Sequence, residues 1–208
     1  TVGGMVANNA AGIQAVKYGA TKHYVLGLEV VLASGKTLRC GTRAMRTSSG
    51  YYLVHLFVGS EGTLGVFTEI TLKLAGIPPE VAAAVASFEA MPQTTRTVVD
   101  LVHAGLSPAA LELMYPVTVR DINAFKGTQL PEAPTLSLEL RGNGPEVAED
   151  VLLAEQVCAQ NGCTRFAPAH GRYERDRMWE ARHHAFYASA AANPGKRAIV
   201  VDVAVPIS

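Results

Sequence analysis

An α+β chain in two parts, residues 1–78 and 79–208, is what this sequence predicts, on three observations. Up to residue 74, β-branched runs alternate with glycine-rich stretches, the pattern of strands joined by loops. At 76–79 the stretch GIPP breaks the chain, because consecutive prolines fix the backbone and remove ladder donors. Beyond it, strand and helix patterns alternate as two β-α-β units. That order predicts an antiparallel sheet backed by helices on one face, a plait.

In chain order, TVGGMVANNAAG (1–12) reads as a glycine loop. YVLGLEVVL (24–32), the turn ASGK (33–36) and residues 37–40 read as a hairpin. A short helical turn is expected over 49–57, and TLGVFTEITLKL (63–74) alternates apolar and polar positions as a half-buried strand does. After the double proline, strands are expected at 81–88, 110–114, 135–141 and 164–168. Helices are expected at 91–104 and 145–161, the latter capped by Gly162. A single long helix over 172–192, stopped by NPG at 193–195, precedes a last strand at 198–205.

Composition excludes several functions. Eighteen basic and eighteen acidic residues cancel and no run of like charge exceeds two, which disfavours nucleic acid or an anionic membrane as partner. No apolar run approaches the length of a membrane span. Three cysteines without a CxxC fit buried thiols in a reducing compartment, and six histidines without an HExxH or HxH spacing supply no metal cage. Gly59, Gly62 and Gly65 do not form GxGxxG, and no GxxxxGK[ST] occurs. Glycine loops let backbone amides approach a phosphate or a flat ring, yet taken singly they serve tight turns equally well.

Five blocks taken together decide more. TVGGMVANNAAG, then AVKYG (15–19), VLGLEVVLASG (25–35), SSGYYL (48–53) and LFVGSEGTLG (56–65) resemble, in order and spacing, the second half of the FAD-binding domain of vanillyl-alcohol oxidase type flavoproteins. ALELM (110–114), APTL (133–136), WEARH (179–183) and DVAVPIS (202–208) are similar to the D-lactate dehydrogenase and glycolate oxidase FAD-subunit branch. The resemblance implies a fold made of that half-domain followed by part of a ferredoxin-like substrate domain. It also implies FAD as cofactor, contacted by backbone amides of Gly3 and Gly4, with Asn8, Asn9 and Gly12 along the isoalloxazine and Tyr18 and Gly19 turning beside it. Glu61, Gly62, Gly65 and Val66 would hold the adenosine end. For the asparagines, a turn-forming role remains the alternative.

The reaction implied is oxidation of a small D-2-hydroxy acid, D-lactate or glycolate, to the 2-oxo acid. Such a substrate needs its carboxylate clamped, and a guanidinium offers bidentate geometry. Arg182 matches the arginine that relatives use, with a surface ion pair to Glu180 or Glu174 as the alternative. Phe186, one turn on, suggests a short apolar tail on the substrate, and Trp179 reads as core. His183 and His184 point about 100° apart on a helix and are assigned no acid/base role. No catalytic residue is expected within this stretch: the family's first pyrophosphate loop would lie before Thr1, and its histidine-bearing segment, which can bind a divalent metal, beyond Ser208. The resemblance implies a quinone or cytochrome as electron acceptor and a cytoplasmic location or one peripheral to the inner membrane, mitochondrial in a eukaryote. A sugar- or aryl-alcohol oxidase on the same fold, and a non-catalytic fragment that binds no flavin, are the alternatives.

Overall fold

The computed structural model describes residues 1–169 and 171–203, and its first element is a helix where the sequence predicted a loop. Helix α1, Val2–Ala7, starts at Thr1, whose Oγ1 accepts the Gly4 amide at 3.1 Å. Val6, wholly buried, anchors its other end. A side-chain cap and tertiary burial offset the cost of about 1 kcal/mol that each of Gly3 and Gly4 imposes on a helix. Local composition pointed to a loop; packing overrode it.

Two compact units divide the chain, Thr1–Ile77 and Pro78–Ser208. In the first, α1 is followed by the short α2 (Ala15–Tyr18), β1 (Val25–Val31), β2 (Thr37–Gly41), α3 (Leu53–Phe57) and β3 (Val66–Leu72). The expected hairpin forms, with the Leu32 amide donating to Lys36 O at 2.9 Å across a turn at Gly35. β3 pairs with the opposite edge of β1, giving the antiparallel order β2-β1-β3. The strand predicted from residue 63 begins only at Val66. Thr63 folds back on Ser60 O through its amide (3.0 Å) and its hydroxyl (2.6 Å), so the chain is still turning there. Val6, Val25, Leu28, Val30, Val54 and Phe57 form the core of this unit.

The second unit contains β4 (Glu80–Phe88), α4 (Met91–His103), β5 (Ala110–Met114), α5 (Pro116–Lys126), β6 (Thr135–Gly142), α6 (Gly144–Gln160) and β7 (Cys163–Ala169). Its strands run in the order β5-β6-β4-β7, every neighbouring pair antiparallel. Each β-α-β unit is therefore split by a strand of the other, which is the ferredoxin-like arrangement. Alternate residues of the central strands, Ala84, Ala86, Phe88, Leu136, Leu138 and Leu140, pack against Leu101 of α4 and Ala154, Val157 and Cys158 of α6. Asn143 caps α6 reciprocally with Glu146: each side chain accepts the other's backbone amide, at 3.0 and 3.3 Å.

The second unit differs from the sequence expectation in four respects. Helix α5 was not foreseen, since its β-branched Val117, Thr118, Val119 and Ile122 are poor helix formers. Pro116 at its start and Gly127, left-handed at its end with φ +66°, were the overlooked signals. The long helix over 172–192 is two, α7 (Gly171–His183) and α8 (Ala185–Ala191), parted at His184, whose ring Nδ1 lies 2.8 Å from Glu180 O. Helices cover both faces of the sheet, not one, because α7 packs against β4 and β7 on the side away from α4 and α6. Of the strand expected at 198–205, residues 198–203 form none: the exposed Ile199, Val200 and Val201 have the propensity but no ladder partner among the described residues. Residues 204–205 lie outside the described residues.

Candidate functional site

The two glycine-rich stretches of the first unit, far apart in sequence, are hydrogen-bonded to each other. The last carbonyls of α1 have spare acceptor capacity, Val6 O taking the Asn9 amide at 3.1 Å, and the loop at 59–61 adds amides to them. Gly59 N donates to Val6 O at 3.1 Å and Glu61 N to Ala7 O at 2.9 Å. To make this approach the chain turns through left-handed conformations at Asn9 (φ 49°) and Glu61 (φ 50°), which cost a non-glycine residue energy unless the surroundings hold them. Asn9 is held by its own side chain, whose Oδ1 accepts the Lys22 amide at 2.9 Å. Asn8 caps the C-terminus of α1, its amide on Gly4 O.

The other predicted cofactor residues divide into two groups. Around Gly3, Gly12 and Gly62 nothing lies within 4 Å of where a Cβ would stand, so the backbone there is open to a ligand. At Gly19 and Gly65 the protein itself fills that place: a Cβ on Gly19 would collide with the His23 ring, and one on Gly65 would stand 2.5 Å from Val30 Cγ1 and 2.7 Å from Val31 O. Gly4 takes its cap bond from Thr1, Tyr18 closes α2, and Val66 opens β3. Glu61 is an exposed carboxylate. Sequence reasoning passed over Ser60, whose Oγ is buried without a hydrogen-bond partner between the two amides that bind α1. Its place within GSEG was the available signal. An unpaired hydroxyl beside open glycine backbone is a donor set that suits a phosphate-bearing planar cofactor, so these residues fit FAD.

In the second unit the sheet face opposite α4 and α6 is polar and yet buried. Ser87, Thr135, Ser137 and Glu139 are at most 5% exposed. Register explains the set: Ser87 pairs with Thr135, while Glu112 of β5 pairs with Ser137. Alternation sends Leu111 and Leu113 to the apolar core, so Glu112 points to the polar side. A cleft of about 370 Å³ lies on this face, lined by Ser87, Ser137, Arg165, Arg177, Met178 and Ala181 among others.

Arg182, the predicted carboxylate clamp, is paired with neither Glu180 nor Glu174. It reaches across to Glu112, whose Oε2 accepts from Nε at 3.0 Å and from Nη2 at 2.6 Å. Glu180 instead takes Lys126 of α5 at 2.7 Å, and this contact, first its hydrogen bond and then its charge, holds the Glu180 carboxyl below the usual carboxylate range. Phe186 belongs to α8, is 46% exposed and meets Tyr187 edge-on at 5.6 Å. Trp179 is 6% exposed with its indole Nε1 unpaired. The thiols are poor nucleophiles: burial, then the neighbouring Cys163 and Glu155, pushes Cys158 up to about 12, and burial raises Cys40 and Cys163 as well.

Comparison with known proteins decides the family. The family model described as FAD linked oxidases, C-terminal domain, matches residues 77–208, and that described as FAD binding domain matches residues 1–41. The chain belongs to the FAD-linked oxidases. Among its relatives are the probable mitochondrial D-lactate dehydrogenase of Danio rerio, 41% identical over 208 residues, and the mitochondrial D-lactate dehydrogenase [cytochrome] of Arabidopsis thaliana, 35% identical. The glycolate oxidase subunit GlcD of Bacillus subtilis (strain 168) is also 35% identical. These alignments take in 99%, 100% and 100% of this chain but 42%, 37% and 44% of the respective relatives, so the chain spans less than half their length. A solved alkyldihydroxyacetonephosphate synthase superposes with a TM-score of 0.69 at 19% identity, over 91% of this chain and 36% of that one, which shows a shared fold. Among the described residues no helix is long and apolar enough to cross a membrane.

Proposed function

We propose that this chain carries parts of the flavin and substrate sites of an FAD-dependent dehydrogenase that oxidises a small D-2-hydroxy acid, D-lactate or glycolate, to the 2-oxo acid. The observation that carries the reading is the joining of the two glycine-rich segments beside the unpaired Ser60 hydroxyl. FAD, when bound, supplies the hydride acceptor. Residues 1–78 contribute to its seat through backbone at Gly3, Gly12 and Gly62, with Gly4, Asn8, Asn9, Tyr18, Gly19, Glu61, Gly65 and Val66 shaping it. Residues 79–208 contribute to the substrate side, where Arg182 orients the carboxylate and Phe186 flanks the short tail. No base is assigned within this chain, and the electrons pass to a quinone or cytochrome.

The full-length protein loaded with FAD tests this. D-lactate or glycolate added under argon should bleach the flavin absorbance, and Arg182→Met should raise KM at least tenfold, the loss of one charge-assisted contact, about 1.4 kcal/mol or more. Flavin that no 2-hydroxy acid reduces would sink the proposal. A sugar- or aryl-alcohol oxidase would instead keep its KM for an uncharged substrate in that variant.

A further inference from the structure

We infer that Glu112 is a positioning residue for the substrate carboxylate, acting through Arg182; the inference rests on the carboxylate-clamp reading above. A guanidinium has two usable edges, one formed by Nε and one Nη, the other by the two terminal nitrogens. Glu112 Oε2 takes the first edge entirely, from Nε at 3.0 Å and Nη2 at 2.6 Å. Nη1 and the remaining Nη2 hydrogen stay available, and among the described residues no other hydrogen bond to Arg182 is present. That terminal edge is the one that receives a carboxylate side by side.

The anchor is rigid on one side. Glu112 sits on β5, registered by the ladder to Ser137 of β6, with the half-buried Leu111 and Leu113 packed against the core on either side of it. Its side chain is 19% exposed and that of Arg182 31%, so both lose water and gain from a fixed partner. Arg182 lies in the last turn of α7, immediately before the break at His184, where helix geometry alone holds a long side chain least. A strand-borne carboxylate therefore fixes the direction of a cation borne near a helix end. The pair is electrically neutral, so it selects a carboxylate by the geometry of its two remaining hydrogen bonds more than by net charge.

Two signs are possible for removing the anchor, and they separate positioning from mere charge. If Glu112 only cancels the cation, deleting it frees a full positive charge and lowers KM for D-lactate. If it positions the cation, Glu112→Ala raises KM three- to tenfold, while Glu112→Gln, whose carbonyl oxygen still accepts from the same edge, restores KM to within about twofold. In an Arg182→Met background, Glu112→Ala should add nothing further to KM. The measurements are steady-state kcat and KM with D-lactate and glycolate on FAD-loaded full-length variants, alongside thermal unfolding to exclude loss of fold. A KM that falls or stays unchanged in Glu112→Ala, while Arg182→Met raises it, overturns the inference and leaves the clamp standing. An unchanged KM in Arg182→Met removes the clamp, and the inference with it. Should Glu112→Ala fail to fold, Glu112→Leu, which fills the same space without an acceptor, carries the same expectation.

Discussion

Gly3→Ala should stabilise the ligand-free protein and weaken its hold on FAD, two opposite effects from one methyl group. Gly3 is the second residue of α1, and nothing lies within 4 Å of the position its Cβ would take. In a helix, alanine is favoured over glycine by roughly 0.5–1 kcal/mol, which for a chain of this size is about 1–4 °C in Tm. If the flavin lies against that backbone, the methyl takes its space, and FAD affinity should drop tenfold or more, about 1.4 kcal/mol. Gly65→Ala should behave the other way. Its Cβ would stand 2.5 Å from Val30 Cγ1 and 2.7 Å from Val31 O, so β3 must shift off β1. Such overpacking costs about 1–3 kcal/mol, or roughly 2–12 °C. Calorimetric unfolding of the apoprotein and flavin fluorescence titration give both numbers for both variants. Wild-type FAD affinity in Gly3→Ala would place the flavin elsewhere, and an unchanged Tm with lost flavin in Gly65→Ala would make that glycine a ligand contact instead of a strand contact.

Stability should fall in alkali because of Cys158. Burial raises its folded pKa to about 12 from the ordinary thiol value of 9.0, so the folded state keeps a proton that the unfolded chain releases. The stabilisation is complete below pH 9 and declines as pH rises from 9 towards 12; urea unfolding at pH 8 and pH 10, with Cys158→Ala as control, should show a steeper loss in the wild type. Phe88→Ala removes a fully buried ring from the junction of β4 with α4 and α6. It should cost about 3–5 kcal/mol and abolish the cooperative unfolding of the second unit, and a shift smaller than a degree or two would contradict the assigned core.

The sheet of the second unit was legible because its strands announce themselves twice over: TLSLELR alternates, and its leucines need one apolar face. Helix α5 was not, since Val117, Val119 and Ile122 suit a strand as readily as a helix until Ile122 and Val119 are buried against Ala188 of α8. The split of the long helix was equally hidden, for ARHHAF carries neither proline nor glycine at the break, where the His184 ring meets the Glu180 carbonyl one turn back. In the candidate site, the glycines could be found by spacing, whereas Ser60 had only its place within GSEG to mark it and Glu112 could not be told from an ordinary surface residue. What distinguishes them is a missing partner in one case and a partner seventy residues away in the other.

By itself, then, the sequence determined the seven strands, helices α4 and α6 and the family, because periodicity and ordered glycine blocks are properties of the chain read locally. Only the tertiary structure decided that a Gly-Gly segment is helical, that the GSEG loop completes the end of that helix, and that Arg182 belongs to Glu112. Each of these is set by a contact between residues distant along the chain, and the energy of such a contact has no trace in either partner's own neighbourhood.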